Sequence, residues 1–184
     1  MAMPHASPPR WTRAMVEALP DDGQRYELAY GELLVTPAPT RRHERVLMRL
    51  AQAVDAYVRA QGLGEIYISH GLVSWDDDSY FLPDLLVVPA SESHTDDWAE
   101  VQHPLLLIEV LSPSSARHDR VQKRRRFQEA GVPRYWIVDP DLARVEIWTP
   151  ADSAPRVESD RLTWHPAGAA APLVLDLPQL FAPR

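Results

Sequence analysis

The chain of 184 residues contains no cysteine, so disulfide bonds, thiolate metal ligands and a cysteine nucleophile are all excluded. Long apolar runs are also missing: none approaches the roughly 18 residues of a membrane-spanning helix, and the N-terminal stretch lacks the apolar centre of a signal peptide. These absences predict a soluble, cytoplasmic protein that has no membrane partner.

Positive charge is in short supply. The sequence has 19 Lys and Arg residues against 26 Asp and Glu residues, which gives a formal net charge of −7. This sign disfavours a protein that coats nucleic acid through bulk charge, although it leaves room for a local basic groove. With 45% apolar residues, the composition predicts one globular domain over 24–184, preceded by a partly ordered, proline-rich extension over 1–23.

Two segments in the first third of the chain have clear secondary-structure patterns. The stretch "RYELAYGELLVTP" alternates and turns at Tyr30-Gly31, which predicts a β-hairpin. The next segment has helical periodicity from Thr40 to Gln61, and Thr40 is a suitable N-cap. His43 lies on the apolar stripe of this helix and is therefore expected to point inward.

The rest of the chain predicts further strands and a second helix. Strands are expected at 65–69, 71–75, 80–89 and 105–111, a helix at 115–130, and a hairpin in "RYWIVD" and "ARVEIW". This order of elements, ββ-α-βββ-β-α-ββ, predicts an α/β or α+β fold in which a sheet carries a helix on each side.

Two carboxylates interrupt the most apolar of these strands. Asp84 lies within "FLPDLLVV" and Glu109 within "LLLIEVL". A lone buried charge is strongly destabilising, but two acids that converge on a divalent cation avoid this penalty, because hard cations prefer oxygen ligands. The alternative is that each acid reaches solvent at a strand end or pairs with an arginine.

The second helix supplies two further charged candidates. Asp119, Lys123 and Phe127 follow each other at intervals of four residues and so share one helix face. Because Phe127 is the expected core contact, Asp119 and Lys123 are directed toward the sheet, near the strand that carries Glu109. The alternative is a solvent-exposed Asp–Lys pair, which contributes little to stability.

These motifs resemble those of a known family. Pro83-Asp84 followed by Glu109 resembles the signature of the PD-(D/E)xK nuclease superfamily, although Leu111 stands where that signature has lysine. The segments "RYELAYGELLVTPAPTRRHERVLMRLAQAV", "LPDLLVVP" and "IEVLSPSSARHDRVQKRRRFQEAGVPRYWIVDP" are together similar to the Uma-type group of restriction-endonuclease-like proteins. The resemblance implies a restriction-endonuclease-like mixed β-sheet flanked by helices.

The resemblance also implies a set of site residues. Asp84 and Glu109 match the acids that hold Mg²⁺ (or Mn²⁺), and the backbone carbonyl of Val110 is a further expected ligand. Lys123 matches a lysine that is displaced onto the helix. The remaining matches are Asp119, Glu27 and His43.

Three functions are compatible with these residues. The first is a Mg²⁺-dependent endonuclease that hydrolyses phosphodiester bonds in DNA. The second is a catalytically silent module of the same fold that serves in binding or assembly. The third is a metal-dependent phosphatase or nucleotide hydrolase with a small pocket. In an enzyme, His43 would contact a phosphate or shuttle a proton; otherwise it is an ordinary core histidine.

Two surface features bear on possible partners. Arg120 and Arg124-Arg125-Arg126 give the second helix a basic outer face, which is either a nucleic-acid contact or a solvated surface. The aromatic hairpin "RYWIVDP…ARVEIW" is expected to be exposed, which would support a homodimer.

Overall fold

A mixed β-sheet is the centre of the fold in the computed structural model, which describes residues 10–183. The strands are β1 (Arg25–Ala29), β2 (Glu32–Thr36), β3 (Gly64–Ile68), β4 (Ser79–Tyr80), β5 (Leu85–Pro89), β6 (Leu106–Val110), β7 (Tyr135–Asp139), β8 (Arg144–Trp148), β9 (Arg156–Glu158), β10 (Arg161–Trp164) and β11 (Leu173–Asp176). The α-helices are α1 (Arg13–Glu17), α2 (Arg41–Ala60), α3 (Ala116–His118), α4 (Arg124–Glu129) and α5 (Leu177–Phe181). There is also a 3₁₀ turn at Trp98–Glu100 and a π-helical segment at Asp119–Lys123.

The central sheet has the strand order β3-β5-β6-β7-β8-β9, and its neighbours are antiparallel except for β6 and β7. Parallel neighbours cannot be joined by a tight turn, so the chain crosses over between them. That crossover contains α3, the π-helical segment and α4. The helical segment is therefore held against one face of the sheet, directly after the strand that carries Glu109.

Both faces of the central sheet are covered. On one face, α2, α5 and the β10–β11 ribbon pack on side chains such as Leu85 and Ile108. On the other face, α4 and the small sheet β2-β1-β4 pack on side chains such as Leu86 and Leu107. Alternate residues of β5 and β6 thus enter two separate cores, as strands buried on both sides require. The predicted mixed sheet flanked by helices is confirmed.

The first hairpin and the long helix lie where the sequence predicts them. Tyr30 and Gly31 have φ angles of 54° and 79°, the signs of a type I′ hairpin turn. Helix α2 begins after Thr40, whose hydroxyl accepts a hydrogen bond from the amide of His43. His43 is 7% exposed and does point inward. No helix within residues 10–183, α2 included, has the length and apolar character needed to cross a membrane.

The predicted N-terminal extension lies partly outside the described residues. From residue 10 onward the chain contacts the hairpin and the turn before β4. The amide of Trp11 donates to the carbonyl of Gly31 at 2.9 Å, and the amide of Arg13 donates to that of Asp77 at 3.0 Å. The boundary at residue 24 stays a prediction.

The predicted strand at 71–75 is wrong. This segment joins the sheets only through a single bridge between Val73 and Phe81. The amide of Trp75 instead donates to the hydroxyl of Ser79, at 3.0 Å, so a side chain in the aspartate-rich turn takes the place of a strand partner.

The predicted strand at 80–89 is split into β4 and β5. Pro83 lies in the interruption and has no amide hydrogen with which to join a ladder. The break leaves Asp84 directly before β5. The sequence analysis does not predict β9 and β10, which are only three and four residues long. In β10, Leu162 and Trp164 are nevertheless buried in the core.

The hairpin of β7 and β8 is buried rather than exposed. Tyr135, Trp136 and Trp148 are 2%, 1% and 7% exposed, and they pack in the two cores of their own chain. The expected aromatic surface for dimerisation is therefore wrong, and a homodimer stays a prediction without that support.

The predicted helix at 115–130 is present but irregular. Its first and last turns are α-helical, whereas Asp119–Lys123 forms a π-helical segment. Such segments are rare and are often found at functional sites. Asp119 and Lys123 begin and end the segment, and both are buried.

Phe127 anchors this crossover on the sheet. It is fully buried and meets Phe81 and Tyr135 edge to face, with ring centroids 5.1 and 4.9 Å apart. We expect Phe127→Ala to lower the free energy of unfolding by about 3–5 kcal/mol, because the lost ring leaves a cavity. Urea denaturation measures the change. Val121→Ala, at an exposed position of the same crossover, should change it by less than about 0.5 kcal/mol. Equal losses in the two variants would contradict the anchoring role.

Candidate active site

Strand register brings Asp84 and Glu109 to the same place. Leu85 is opposite Ile108 in the antiparallel pair of β5 and β6, so Asp84 and Glu109 occupy the next opposed positions. Opposed residues of an antiparallel pair point to the same face. The two side chains are 2% and 3% exposed and line one cavity.

Lys123 is the centre of the buried charges. Its Nζ atom lies 2.7 Å from Oε2 of Glu27, 2.9 Å from Oε1 of Glu109 and 3.2 Å from Oδ1 of Asp119. These acids come from β1, β6 and the π-helical segment, so the lysine links three elements through charge-assisted contacts. Glu27 also accepts a hydrogen bond from the amide of Leu82 at 2.9 Å, which fixes the segment before β5.

Asp84 has a different set of partners. Its Oδ1 atom accepts a hydrogen bond from Nη1 of Arg25 at 2.7 Å, and its Oδ2 atom accepts one from the amide of Val110 at 2.8 Å. Nε2 of His43 lies 3.5 Å from Oδ2. The contact that Val110 makes here uses its amide, and the expected role of its carbonyl as a metal ligand stays a prediction.

Burial disfavours ionisation of two of the acids. It raises the pKa of Glu109 well above the usual value, against the opposing charge of Lys123, and the negative charges of Asp84 and Asp119 add to the rise. Burial likewise raises the pKa of Asp119, again against Lys123. The charged forms of both carboxylates are therefore costly in the folded protein.

For Asp84 and Lys123 the pKa shifts favour the charged form instead. Burial raises the pKa of Asp84, but Arg25, His43 and the hydrogen bonds outweigh it, so the pKa lies below its usual value. Burial lowers the pKa of Lys123, but Glu109 and the other two acids around it outweigh this and hold the pKa well above its usual value. Asp84 is therefore ionised and Lys123 is charged.

The cavity that Glu27, Asp84 and Glu109 line has a volume of about 150 Å³, enough for several water molecules or a hydrated cation. With Asp119 these acids make four buried carboxyl groups against two cationic side chains, so carboxyl groups outnumber cations at the site. Oδ1 of Asp119 lies near Lys123 but is not aligned for hydrogen bonding, and neither of its oxygens has such a partner among residues 10–183. Carboxylate oxygens in excess are the donors that Mg²⁺ or Mn²⁺ prefers, so the residues fit such a cation.

A complete protein cage for a metal ion is absent from the described part of the chain, where no three Asp, Glu or His side chains are arranged to hold one. Mg²⁺ does not need such a cage, because it keeps several waters and binds through one or two carboxylates together with phosphate oxygens. Asp84 and Glu109 are the carboxylates whose position suits this mode, and their role as ligands stays a prediction.

Five of the predicted site residues line this cavity: Asp84, Glu109, Lys123, Glu27 and His43. The sixth, Asp119, does not line it but contacts Lys123. Arg25 is the neighbour that the sequence analysis misses. It lies two residues before Glu27 on β1, and strand alternation directs side chains two residues apart to the same face. That spacing is the signal that could have revealed it.

The basic outer face predicted for the second helix is neutralised within the chain. The guanidinium of Arg120 lies 2.8 Å from Glu146 and 3.0 Å from Asp139. This favours the alternative interpretation, a solvated surface. The other arginines pair or stack as follows: Arg124 on Trp148, Arg125 with Glu129, and Arg126 with Asp76.

The mixed sheet and the cavity lined by an Asp, a Glu and a Lys describe the fold and the candidate site, and comparison with known proteins gives the family. The family model Uma2, described as "putative restriction endonuclease", matches residues 13–181. The chain belongs to this family.

Two individual proteins are similar to the chain. An uncharacterised protein of Synechocystis is 28% identical over 129 residues, which cover 67% of this chain and 71% of that protein. A crystal structure from Anabaena variabilis, described as a "putative nuclease belonging to DUF820", matches with a TM-score of 0.78 and 21% identity. The match covers 92% of this chain and 97% of that one, so the two share a fold.

The raised pKa of Glu109 predicts that the metal-free protein loses stability as the pH rises. Above about pH 4.5, the ordinary value for Glu, the unfolded chain gives up this proton more readily than the folded protein, so the free energy of unfolding falls. Glu109→Gln should remove the contribution of this group to the slope of unfolding free energy against pH. Thermal unfolding with a chelator, between about pH 5 and pH 8, measures it. Glu146→Gln, at a buried acid outside the cavity, is the control. A slope lost equally in both variants would contradict the assignment to Glu109.

Proposed function

We propose that this chain is a cytoplasmic endonuclease that uses Mg²⁺ or Mn²⁺ to hydrolyse phosphodiester bonds in DNA. One observation carries the proposal: the charged Lys123 is held against Glu109 at a cavity that Asp84 also lines. Membership of the Uma2 family supports the nuclease class. The reaction builds negative charge on a phosphate, and an acid pair beside an ammonium is suited to bind a cation and to stabilise that charge.

The side chains divide the work of such a reaction. Asp84 and Glu109, with the carbonyl of Val110, would hold the cation. When bound, the cation would polarise the phosphate and lower the pKa of a water molecule. Lys123 would orient the attacking water or stabilise the charge that develops on the phosphoryl oxygens. The acids Glu27 and Asp119 keep its ammonium charged. His43, whose Nε2 atom lies 3.5 Å from Oδ2 of Asp84, would contact a phosphate or shuttle a proton.

A surface groove next to the cavity supports a nucleic-acid substrate. The groove has a volume of about 820 Å³ and runs along α2 past Arg41, Arg45 and Arg49. Pro39 lines both the groove and the cavity, so the two lie next to each other. Within residues 10–183, Arg41 and Arg45 take part in no ion pair, so their charges are available to phosphates despite the acidic total.

The alternative function is a catalytically silent module that binds or assembles. The observation in its favour is that Asp84 already has a cationic partner, because Arg25 neutralises it without a metal ion. The two functions differ in whether a cation binds and whether bound DNA is cut.

Calorimetry with Mn²⁺, combined with a plasmid-nicking assay on the same samples, tests the proposal. We expect the native protein to bind the ion and to nick plasmid DNA. Asp84→Ala should weaken binding about tenfold or more and nicking about a hundredfold or more, because it removes a ligand. Glu146→Gln, a buried acid that pairs with Arg120 instead, should retain both properties.

Two results would contradict this mechanism. Metal binding by the native protein without nicking would favour the silent module. Absence of metal binding by the native protein would mean that Asp84 and Glu109 are structural.

Removal of two arginines from the groove tests the substrate contact. Arg41→Ala combined with Arg45→Ala should weaken DNA binding to a similar extent for different sequences, and should reduce the dependence of affinity on salt by about two phosphate contacts. Fluorescence anisotropy at several salt concentrations measures both. Arg156→Ala with Arg161→Ala removes the same charge from β9 and β10 and should leave the salt dependence unchanged. Equal effects of the two double variants would show that net charge, not the groove, governs binding.

A further inference from the structure

Arg25 reaches the cavity with most of its donors unused. Its Nη1 atom donates to Oδ1 of Asp84. Its Nε and Nη2 atoms are buried and have no hydrogen-bond partner in the part of the chain that the structure describes. A guanidinium carries five N–H donors in a rigid fork, and buried donors without a partner are destabilising. These donors therefore lack an acceptor within residues 10–183, and a bound ligand would supply one.

A cation at Asp84 would meet Arg25 on the same carboxylate. Oδ2 of Asp84 is already bound by the amide of Val110, and Oδ1 is the atom that Arg25 contacts. Positive charges a few ångströms apart repel strongly in a buried site. A divalent cation that binds Asp84 therefore weakens the pair between Arg25 and Asp84.

Arg25 is also the less tightly held of the two cationic side chains that line the cavity. Its side chain is 24% exposed, whereas that of Lys123 is 4% exposed and touches three acids. Glu27, two residues further along β1, is fixed by Lys123 and by the amide of Leu82. The strand can therefore stay in place while the Arg25 side chain turns.

We propose that Arg25 is a phosphate-binding residue, held by Asp84 in the metal-free protein and released to the scissile phosphate when the cation binds. This inference rests on the proposed function, because it needs a cation at Asp84. The free Nε and Nη2 donors suit two non-bridging oxygens of one phosphodiester, since the planar fork of arginine binds phosphate in a bidentate manner. Arg25 thus keeps Asp84 neutralised until metal and substrate replace it.

Two binding measurements without turnover test the proposal in the full chain. Calorimetry with Mn²⁺ alone should show that Arg25→Gln binds the ion about tenfold or more tightly than the native protein, because the competing charge is gone. Calorimetry with thymidine 5′-monophosphate at saturating Mn²⁺ should show affinity about tenfold or more weaker in Arg25→Gln. Arg144→Gln is the matched control: its Nε atom also lacks a partner among residues 10–183, but it lies outside the cavity, and both affinities should stay native.

Arg25→Lys keeps the positive charge but removes the planar guanidinium group. This variant provides a second test if Arg25→Gln does not fold. It should bind Mn²⁺ like the native protein and bind the nucleotide more weakly. Native Mn²⁺ affinity in Arg25→Gln, or native nucleotide affinity in Arg25→Lys, would overturn the inference while leaving the proposed function intact. Absence of Mn²⁺ binding by the native protein would overturn both.

Discussion

The contact of one buried ammonium with three carboxylates holds the site together. Glu27, Glu109 and Asp119 belong to the small sheet, the central sheet and the crossover, and each would be an uncompensated buried charge without Lys123. The lysine is therefore the point at which the three elements depend on one another. The parallel pairing of β6 and β7 makes this possible, because it requires a crossover after Glu109, and the crossover here contains the helical segment that carries Asp119 and Lys123.

The buried carboxyl groups of the site lower the stability of the fold. Its acids outnumber its cations, and burial makes the ionised forms of Glu109 and Asp119 unfavourable. A core built only for stability would replace such groups with apolar side chains. The surplus of carboxyl groups over cations is therefore a feature that packing alone does not explain.

Much of the fold and site follows from local sequence, and the exceptions have identifiable causes. Asp84 and Glu109 stand out because apolar runs surround them, and Lys123 because Phe127 fixes its helix face. Arg25 is not predicted because arginines next to loops are usually exposed, and only the tertiary structure shows that this one is largely buried. The strand at 80–89 is overestimated because Pro83 interrupts the ladder. The π-helical segment has no periodic signal, since its wider turn arises from packing and hydrogen bonding that the sequence pattern does not encode.

The origin of the ammonium also determines what Leu111 can do. Leu111 is 8% exposed and packs in the core beneath the crossover, at the position where the superfamily signature has its lysine. Lys123 on the helical segment brings a positive charge to the cavity, whereas Leu111 on the strand packs in the core. A lysine can thus reach the same cavity from a helical segment as well as from the strand. Its position in the folded protein therefore matters more than its distance from Glu109 along the sequence.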